Sequence, residues 1–300
     1  MFKEGQFMAE QDKIRNEEQT LNEGAAAPEQ DEQFTTVVHN GELKDVQGIP
    51  PEKYEELKEK YHPLFGIYLN GKLILYRQMN IDDYNAYQNE TMLAQEELQK
   101  KYQADLESGK MSQEKFSYMV STLWDESLVK TFTVYPENIL DMVKKGELPG
   151  GTLYTVAQGI LSNSGFVELE PVFLNEKILE QDPELLSTLQ EDVLSSFDDI
   201  NQTHIQEMIA TYSEIALFLF YNKLYIVRGF KYEEYTEIKE LTAKLPITVL
   251  NMELTRKFLL YPTSPLSEIP AGLIMQAIPE AILVLSGFSN TTQPDVVIMD

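Results

Sequence analysis

Residues 64–79 read LFGIYLNGKLILYRQM, two apolar runs separated by Asn70-Gly71. Asn-Gly accepts the positive φ angles of a type I′ turn, whose twist matches that of paired antiparallel strands. The pattern predicts a β-hairpin with strands at 64–69 and 72–79. Asn80 follows as a good helix cap, and the next acidic residues favour the first turn of a helix. The stretch therefore predicts a hairpin that leads directly into a helix.

A similar stretch occurs later in the chain. Residues 73–87 read LILYRQMNIDDYNAY and residues 224–238 read LYIVRGFKYEEYTEI. Each contains an aliphatic run, an Arg, six further residues and a Tyr preceded by two acidic residues. The second hairpin is predicted to turn near Asn222. Two later pairs of segments also agree in order, KTFTVYP with RKFLLYP, and LPGGTLYTVAQGILSNSGF with IPAGLIMQAIPEAILVLSGF.

The spacing of these motifs indicates an internal duplication. Arg77 and Arg228 are 151 residues apart, whereas the Tyr-Pro pairs that begin at Tyr135 and Tyr261 are 126 residues apart. The first copy is therefore 25 residues longer in this region, and we interpret the excess as an inserted helical hairpin. The alternative is that ordinary hairpins and amphipathic helices merely look alike.

The predicted fold is α+β and helix-rich. It has two related modules, each a β-hairpin followed by helices, packed about a pseudo-twofold axis. Two copies are too few for a stacked solenoid.

Composition divides the chain into five segments. Residues 1–35 contain nine acidic and three basic residues and few aliphatic ones, which predicts a disordered or partner-bound acidic tail because such a segment buries little apolar surface. Residues 36–62 are predicted to be a connector with a short helix at 52–61. The first module then covers 63–167, a helical linker with a helix start at Asp182-Pro183 covers 168–210, and the second module covers 211–300.

The charge balance limits the classes of partner. The chain has 24 Lys and Arg against 49 Asp and Glu, a net charge of −25. This charge disfavours direct binding to nucleic acid, because cations must replace the counterions of the phosphate backbone. It suits a protein that meets basic partners or one that imitates nucleic acid.

The sequence offers little for redox, metal or membrane chemistry. It contains no cysteine, which excludes disulfides, thiolate nucleophiles and cysteine-based zinc sites. The three histidines, His39, His62 and His204, lack helical ligand spacing. Because no apolar run reaches 18 residues and the first residues lack the apolar core of a signal peptide, we expect a protein that stays in, or is assembled in, a cytoplasm.

Motifs of catalysis and cofactor binding are not recognisable. GELPGG lacks the spacing of a phosphate-binding loop, and we interpret its Pro-Gly turn as the start of a packed helix rather than as an anion site. Ser-Gly-Phe at 164–166 and 286–288 does not match the GxSxG of a nucleophile elbow. A helix end with Gly as left-handed cap explains both copies. We predict no catalytic residue, no cofactor and no metal.

The repeated Arg and the helix start after it are the candidate structural or interface residues. Each Arg ends a strand and precedes an acidic helix start, so that a two-pronged ion pair could join strand to helix. Contact with a partner subunit and a ligand or catalytic role are the alternatives. Adjacent acidic residues point about 100° apart on a helix and do not converge on one proton or metal. The candidates are Arg77, Asp82, Asp83 and Tyr84 in the first copy, and Arg228, Glu233, Glu234 and Tyr235 in the second.

The order of these motifs resembles that of tail or baseplate assembly proteins of tailed bacteriophages, a group of baseplate-hub or tail-assembly-chaperone proteins. The resemblance rests on the Arg, the acidic pair with its Tyr, Tyr-Pro, the Pro-Gly or Pro-Ala-Gly turn, and Ser-Gly-Phe, and it spans about 62–166 and 211–288. It implies a protein without catalytic residues whose partners are other tail or baseplate proteins or further copies of itself. It places the protein in the virion, or in the host cytoplasm during assembly. An acidic inhibitor or DNA mimic that blocks a host nucleic-acid-binding protein is the alternative.

Overall fold

The computed structural model describes residues 36–37 and 48–288. The predicted acidic tail at 1–35 lies outside these residues. The first half of the described chain contains, in order, β1 (Thr36–Val37), α1 (Pro51–Lys60), β2 (Leu64–Leu69), β3 (Lys72–Arg77), α2 (Ile81–Glu107), α3 (Gln113–Phe132), β4 (Thr133–Tyr135), α4 (Ile139–Lys144) and α5 (Thr152–Asn163).

The second half of the described chain has a related order of elements. It contains β5 (Val172–Asn175), α6 (Glu176–Gln181), α7 (Leu185–Asp192), a 3₁₀ turn (Leu194–Ser196), α8 (Gln202–Tyr212), β6 (Glu214–Phe220), β7 (Lys223–Arg228), α9 (Tyr232–Lys244), α10 (Ile247–Phe258), β8 (Leu259–Tyr261), a second 3₁₀ turn (Leu266–Glu268), a π-helical segment (Leu273–Ala277) and α11 (Ile278–Leu285).

Each half forms one four-stranded antiparallel sheet, and together with the helices these confirm a helix-rich α+β fold. The strand orders are β1-β2-β3-β4 and β5-β6-β7-β8. Both predicted hairpins are present, and their turns use positive φ at Asn70 and Gly71 and at Tyr221 and Asn222. The pairing of β3 with β4 shifts register between Leu75 and Tyr76. The pairing of β7 with β8 shifts register at the matching position, between Ile226 and Val227.

Helices cover both faces of each sheet. In the first half, Ile74 and Tyr76 pack with Phe132 and α5, whereas Leu73 and Leu75 on the opposite face pack with α1. In the second half, Tyr225 and Val227 pack with α10 and α11, and Leu224 and Ile226 pack with the segment from β5 to α8. Strands that are buried on both faces have continuous apolar runs instead of alternating apolar and polar residues. The strands of both hairpins have such continuous runs.

The predictions for the segments before each hairpin need correction. Residues 168–210 are not an all-helical linker, because Val172–Asn175 is a strand that pairs with β6 along the sheet edge. A four-residue run has no strong signal of its own, and its pairing partner decides its conformation. The helix predicted to start at Asp182-Pro183 begins at Leu185, since Asp182 ends the preceding helix and a turn follows. The predicted connector packs on the first sheet through Tyr54 and Leu57.

The 25 extra residues of the first half are not an inserted helical hairpin. Both halves have a helical hairpin between β3 or β7 and the last strand of the sheet. Its two helices have 27 and 20 residues in the first half, and 13 and 12 in the second. The difference therefore lies in longer helices and a longer connecting loop. The short pair in the second half was not recognised, since α10 follows α9 after only Leu245-Pro246.

The last helices of the two halves differ by one residue. Pro149 and Pro270 are 121 residues apart, whereas Ser164 and Ser286 are 122 residues apart. The additional residue is taken up by the π-helical segment, where the backbone N–H of Ile278 donates to the carbonyl of Leu273. A π turn contains one residue more than an α turn, so the insertion leaves both ends of the helix in place. The two halves agree in the order of these elements and in their strand order, while their origin by duplication stays a prediction.

Candidate functional site

The two Arg candidates lie in matching environments within their own halves. The Arg77 guanidinium donates to both carboxylate oxygens of Asp83 at 2.6 and 2.9 Å, and Arg228 donates to both oxygens of Glu234 at 2.8 and 2.9 Å. Each guanidinium also lies over a phenylalanine ring, at 4.7 Å from the centroid of Phe132 or Phe258. These contacts combine a two-pronged ion pair with a cation–π contact. They confirm the predicted link between strand and helix.

The same carboxylates cap the helices that they begin. The backbone N–H of Asn80 donates to Asp83, and the Asn80 side chain accepts from the N–H of Asp83 at 2.9 Å. In the second half the N–H of Lys231 donates to Glu234 at 2.8 Å. The hydrogen bonds from Arg228 lower the pKa of Glu234 to about 2, with the Lys231 backbone N–H adding to the effect. One acidic residue of each predicted pair is thus used within the half.

The other acidic residue of each pair, Asp82 or Glu233, is exposed. The side chain of neither residue makes a hydrogen bond or an ion pair with the part of the chain that the structure describes. The two adjacent acidic side chains of each pair therefore point to different surroundings.

Each Ser-Gly-Phe motif joins the last helix to the loop after the Arg. The Ser164 hydroxyl accepts from the backbone N–H of Met79, and the Ser286 hydroxyl accepts from that of Phe230, both at 2.9 Å. The following glycines, Gly165 and Gly287, have φ angles of 88° and 85°. The predicted helix end with a left-handed glycine is confirmed, and it explains the serine without nucleophilic chemistry.

The two halves meet through the turn at 270–273, which we name the docking turn. The backbone N–H of Ala271 donates to the carbonyl of Met79 at 3.0 Å, and that of Gly272 donates to the carbonyl of Ser164 at 2.7 Å. A Cβ atom on Gly272 would lie 2.2 Å from the carbonyl carbon of Gly165. The docking turn therefore binds the first half at the surface formed by the loop after Arg77 and by the Ser-Gly-Phe motif at 164–166.

Side chains around this contact complete the interface. Ile81 at the start of α2 is 1% exposed and belongs to the core of the second half. Tyr84 lies 5.6 Å from Phe166 and packs against the cores of both halves. The Tyr221 hydroxyl donates to the Asn163 side chain, whose amide in turn donates to the Tyr76 hydroxyl at 2.7 Å.

The matching surface of the second half is open within the described part of the chain. We name it the aromatic face, and it consists of Phe230, Tyr232, Tyr235 and Phe288. Tyr232 matches Ile81 but is 87% exposed, and Tyr235 and Phe288, which match Tyr84 and Phe166, are 38% and 46% exposed. The rings of Tyr235 and Phe288 stack at 6.2 Å, and both contact Phe230. Tyr232, Tyr235 and Phe288 are thus exposed around the half-buried Phe230, and neighbouring exposed aromatic side chains are typical of a protein-binding surface.

The contacts between the halves do not have the predicted pseudo-twofold arrangement. A twofold axis would repeat each contact, so that the turn at 149–152 would lie on the aromatic face. Instead a Cβ atom added to Gly150 or Gly151 would meet no described atom within 4 Å. The interface is head-to-tail, because two different surfaces meet and one copy of each stays free in the described chain.

Asp125 on α3 is a titratable residue that the sequence reasoning missed. It is partly buried, and burial raises its pKa to about 6. No cation pairs with it in the described residues. The matching residue on α10 is Asn251, whose amide donates to the carbonyl of Met275 at 3.0 Å. A comparison of the two halves of the sequence points to Asp125, because it has a carboxylate where Asn251 has a buried amide.

Asp125→Asn is expected to stabilise the chain at pH 8 and to have little effect at pH 4. The folded-state pKa of the Asp125 carboxyl group lies above its unfolded value of 3.8, so folding favours the protonated form. The free energy of unfolding is therefore highest below pH 3.8 and falls as the pH rises through about 6. The variant removes this loss, which we expect to be about 1 kcal/mol after allowance for solvent screening. Urea unfolding at pH 4, 6 and 8 measures it.

Glu97→Gln on the exposed side of α2 is the matched control, and as a surface substitution it should change the stability by less than about 0.5 kcal/mol. An Asp125→Asn variant that loses the same stability at pH 8 as at pH 4 would contradict the assignment of the penalty to the ionised carboxylate.

Two searches for other chemistry were negative for the described residues. No group of three or more His, Asp or Glu side chains is placed to hold a metal ion. No described helix has both the length and the apolar character that crossing a bilayer requires. The comparisons with known proteins also found no match to a family model, a curated protein or a solved structure.

Proposed function

We propose that the chain is a non-enzymatic structural or assembly protein that binds other proteins through the aromatic face. The observation that supports this most strongly is the contrast between Ile81, at 1% exposure, and Tyr232, at 87%. The first half uses this surface to bind a protein segment. The second half presents the matching positions with aromatic side chains at two more of them, where Phe230 and Tyr232 replace Met79 and Ile81.

The phage assignment rests on the motif order. Arg, the acidic helix start, Tyr-Pro, the Pro-Gly or Pro-Ala-Gly turn and Ser-Gly-Phe resemble tail or baseplate assembly proteins of tailed bacteriophages. We therefore propose that the partners are tail or baseplate proteins, and that the chain acts in the virion or in the host cytoplasm during assembly. Within each half the motif residues support the fold, so they supply no separate catalytic centre to set against this proposal.

Mass spectrometry of purified virions beside the lysate of infected cells tests the assignment. A resident component should be present in both samples, and an assembly factor only in the lysate. Tagged chain should co-purify with a tail or baseplate protein, and Tyr232→Glu should reduce the yield of that protein at least about tenfold if the aromatic face binds it. Absence of any tail or baseplate protein from the purified complex would refute the proposal.

The net charge of −25 supports a second candidate, an acidic protein that imitates nucleic acid. Such a protein should displace DNA from a basic DNA-binding protein in a salt-dependent way. Binding of the same host protein by wild type and Tyr232→Glu, with competition by DNA, would favour this candidate over assembly through the aromatic face.

A further inference from the structure

The head-to-tail contact inside the chain leaves one copy of each surface without a partner among the residues that the structure describes. The docking turn of the second half occupies the first half, while the turn at 149–152 of the first half and the aromatic face of the second half do not meet. When two complementary surfaces of one molecule do not meet each other, identical molecules can associate through them.

The backbone groups at both free surfaces match those of the contact within the chain. The carbonyls that accept from the docking turn are those of Met79 and Ser164. Their counterparts are the carbonyls of Phe230 and Ser286, and neither accepts a hydrogen bond from a described residue. The donors that match Ala271 and Gly272 are the N–H groups of Gly150 and Gly151, which also have no acceptor in the described chain.

The space requirement points to the same contact. Gly272 has to be glycine, because a Cβ atom would lie 2.2 Å from backbone of the first half. Gly151 occupies the matching position with a φ angle of −68°, which any residue adopts, and its Cβ would meet nothing within 4 Å. Nothing inside the described chain requires a glycine there, whereas a second copy docked in the same way would.

We propose that the aromatic face of one copy binds the 149–152 turn of a second copy, in the geometry that joins the two halves of one chain. This inference rests on the proposed role of the aromatic face as a binding surface, and it identifies the partner as the chain itself. Repetition of the contact builds a linear chain of copies, or a ring where the rotation closes.

The contact between copies is weaker than the contact within the chain. Leu285 stands where Asn163 lies in the first half, and Asn70 matches Tyr221, so the hydrogen bond between those two side chains is not repeated. The chains also repel each other through their net charge of −25. Association is therefore expected at micromolar concentrations and should strengthen with ionic strength, because salt screens like charges.

Sedimentation velocity of the full chain over roughly 1 to 100 µM, at low and at raised ionic strength, tests the proposal. Wild type should form dimers and larger species as the concentration rises. Tyr232→Glu should stay monomeric, because it places a charge on the aromatic face at the position that matches the buried Ile81. Gly151→Ala should also stay monomeric, although its methyl group would meet none of the described residues within 4 Å.

Mixing the two variants gives the decisive result. Tyr232→Glu keeps the 149–152 turn, and Gly151→Ala keeps the aromatic face, so the mixture should form a dimer with one molecule of each and nothing larger. A symmetric dimer would not be restored in this way. Tyr118→Glu is the matched control, since Tyr118 is 74% exposed on α3 and lies outside both surfaces, and it should associate like wild type.

Each contrary result overturns the proposal. Wild type that is monomeric at every concentration would do so, and so would association that Gly151→Ala leaves intact. If only a variant ending at Phe288 associates, residues 289–300 of the same chain cover the face and a second copy does not. The proposed function would stand separately if a tail or baseplate protein bound a monomeric chain and Tyr232→Glu abolished that binding.

Discussion

Gly272→Ala is expected to destabilise the chain by at least about 3 kcal/mol, because no other described glycine would bring an added Cβ atom so close to backbone. The added Cβ would lie 2.2 and 2.3 Å from backbone atoms of Gly165 and Phe166, which cannot rotate away as a side chain can. The halves must separate to admit it. The hydrogen bonds from the docking turn to Met79 and Ser164 would then be lost.

The single tryptophan makes the measurement specific to one half. Trp124 lies on α3, so its fluorescence reports on the first half, whereas far-UV circular dichroism reports on both. In wild type the two urea transitions should coincide, and in Gly272→Ala they should separate, because the contact that couples the halves is weakened. Gly151→Ala is the control, with stability of the monomer within about 0.5 kcal/mol of wild type. Coincident transitions and an unchanged midpoint for Gly272→Ala would refute the assigned packing.

Arg228→Met is expected to cost about 2 kcal/mol at pH 6. Methionine keeps most of the apolar contact with Phe258 but leaves the Glu234 carboxylate without its two guanidinium hydrogen bonds. These bonds are the main cause of the lowered pKa of Glu234, about 2 against 4.5 in the unfolded chain. The stabilisation is therefore complete above pH 4.5 and declines as the pH falls through about 2.

Urea unfolding of wild type and variant at pH 6, 4.5 and 3 measures this change, and the difference between them should shrink towards the acid end. Arg256→Met is the matched control, because Arg256 pairs with Glu253 on the exposed side of α10. Exposed pairs contribute little, so it should cost under about 0.5 kcal/mol. Equal losses for the two variants would show that the surroundings of Arg228 add nothing to an ordinary surface pair.

The local elements of both halves could be predicted because their signals act within a few residues. Asn70-Gly71 specifies a turn, Asn80 and Asp83 cap the helix that they begin, and Gly165 ends a helix with positive φ. The ion pairs of the two Arg residues are also local, since Asp83 follows Arg77 by only six positions. In these places hydrogen bonds between near neighbours favour the structure that the tertiary packing also needs.

The errors fall where distant partners decide the conformation. Val172–Asn175 becomes a strand because β6 offers an edge to it, and nothing in its four residues distinguishes it from a loop. The extra residues of the first half predict an inserted helical hairpin. This prediction is wrong because the second half also has a helical hairpin, whose two short helices are joined by only Leu245-Pro246. No local pattern predicts that the docking turn contacts the first half. The spacing between the copies changes from 121 residues at the prolines of this turn to 122 at the serines, and this shows only that the last helices differ.

The sequence by itself determined that the same backbone unit would occur twice, since turns, caps and helix ends are encoded by residues in contact along the chain. The tertiary structure alone decided that Ile81 is buried and Tyr232 is exposed. Burial depends on which surface packs against a residue, and that depends on the path of the whole chain. The halves meet head-to-tail, so one of the two matching surfaces is buried within the chain and the other stays exposed among the described residues.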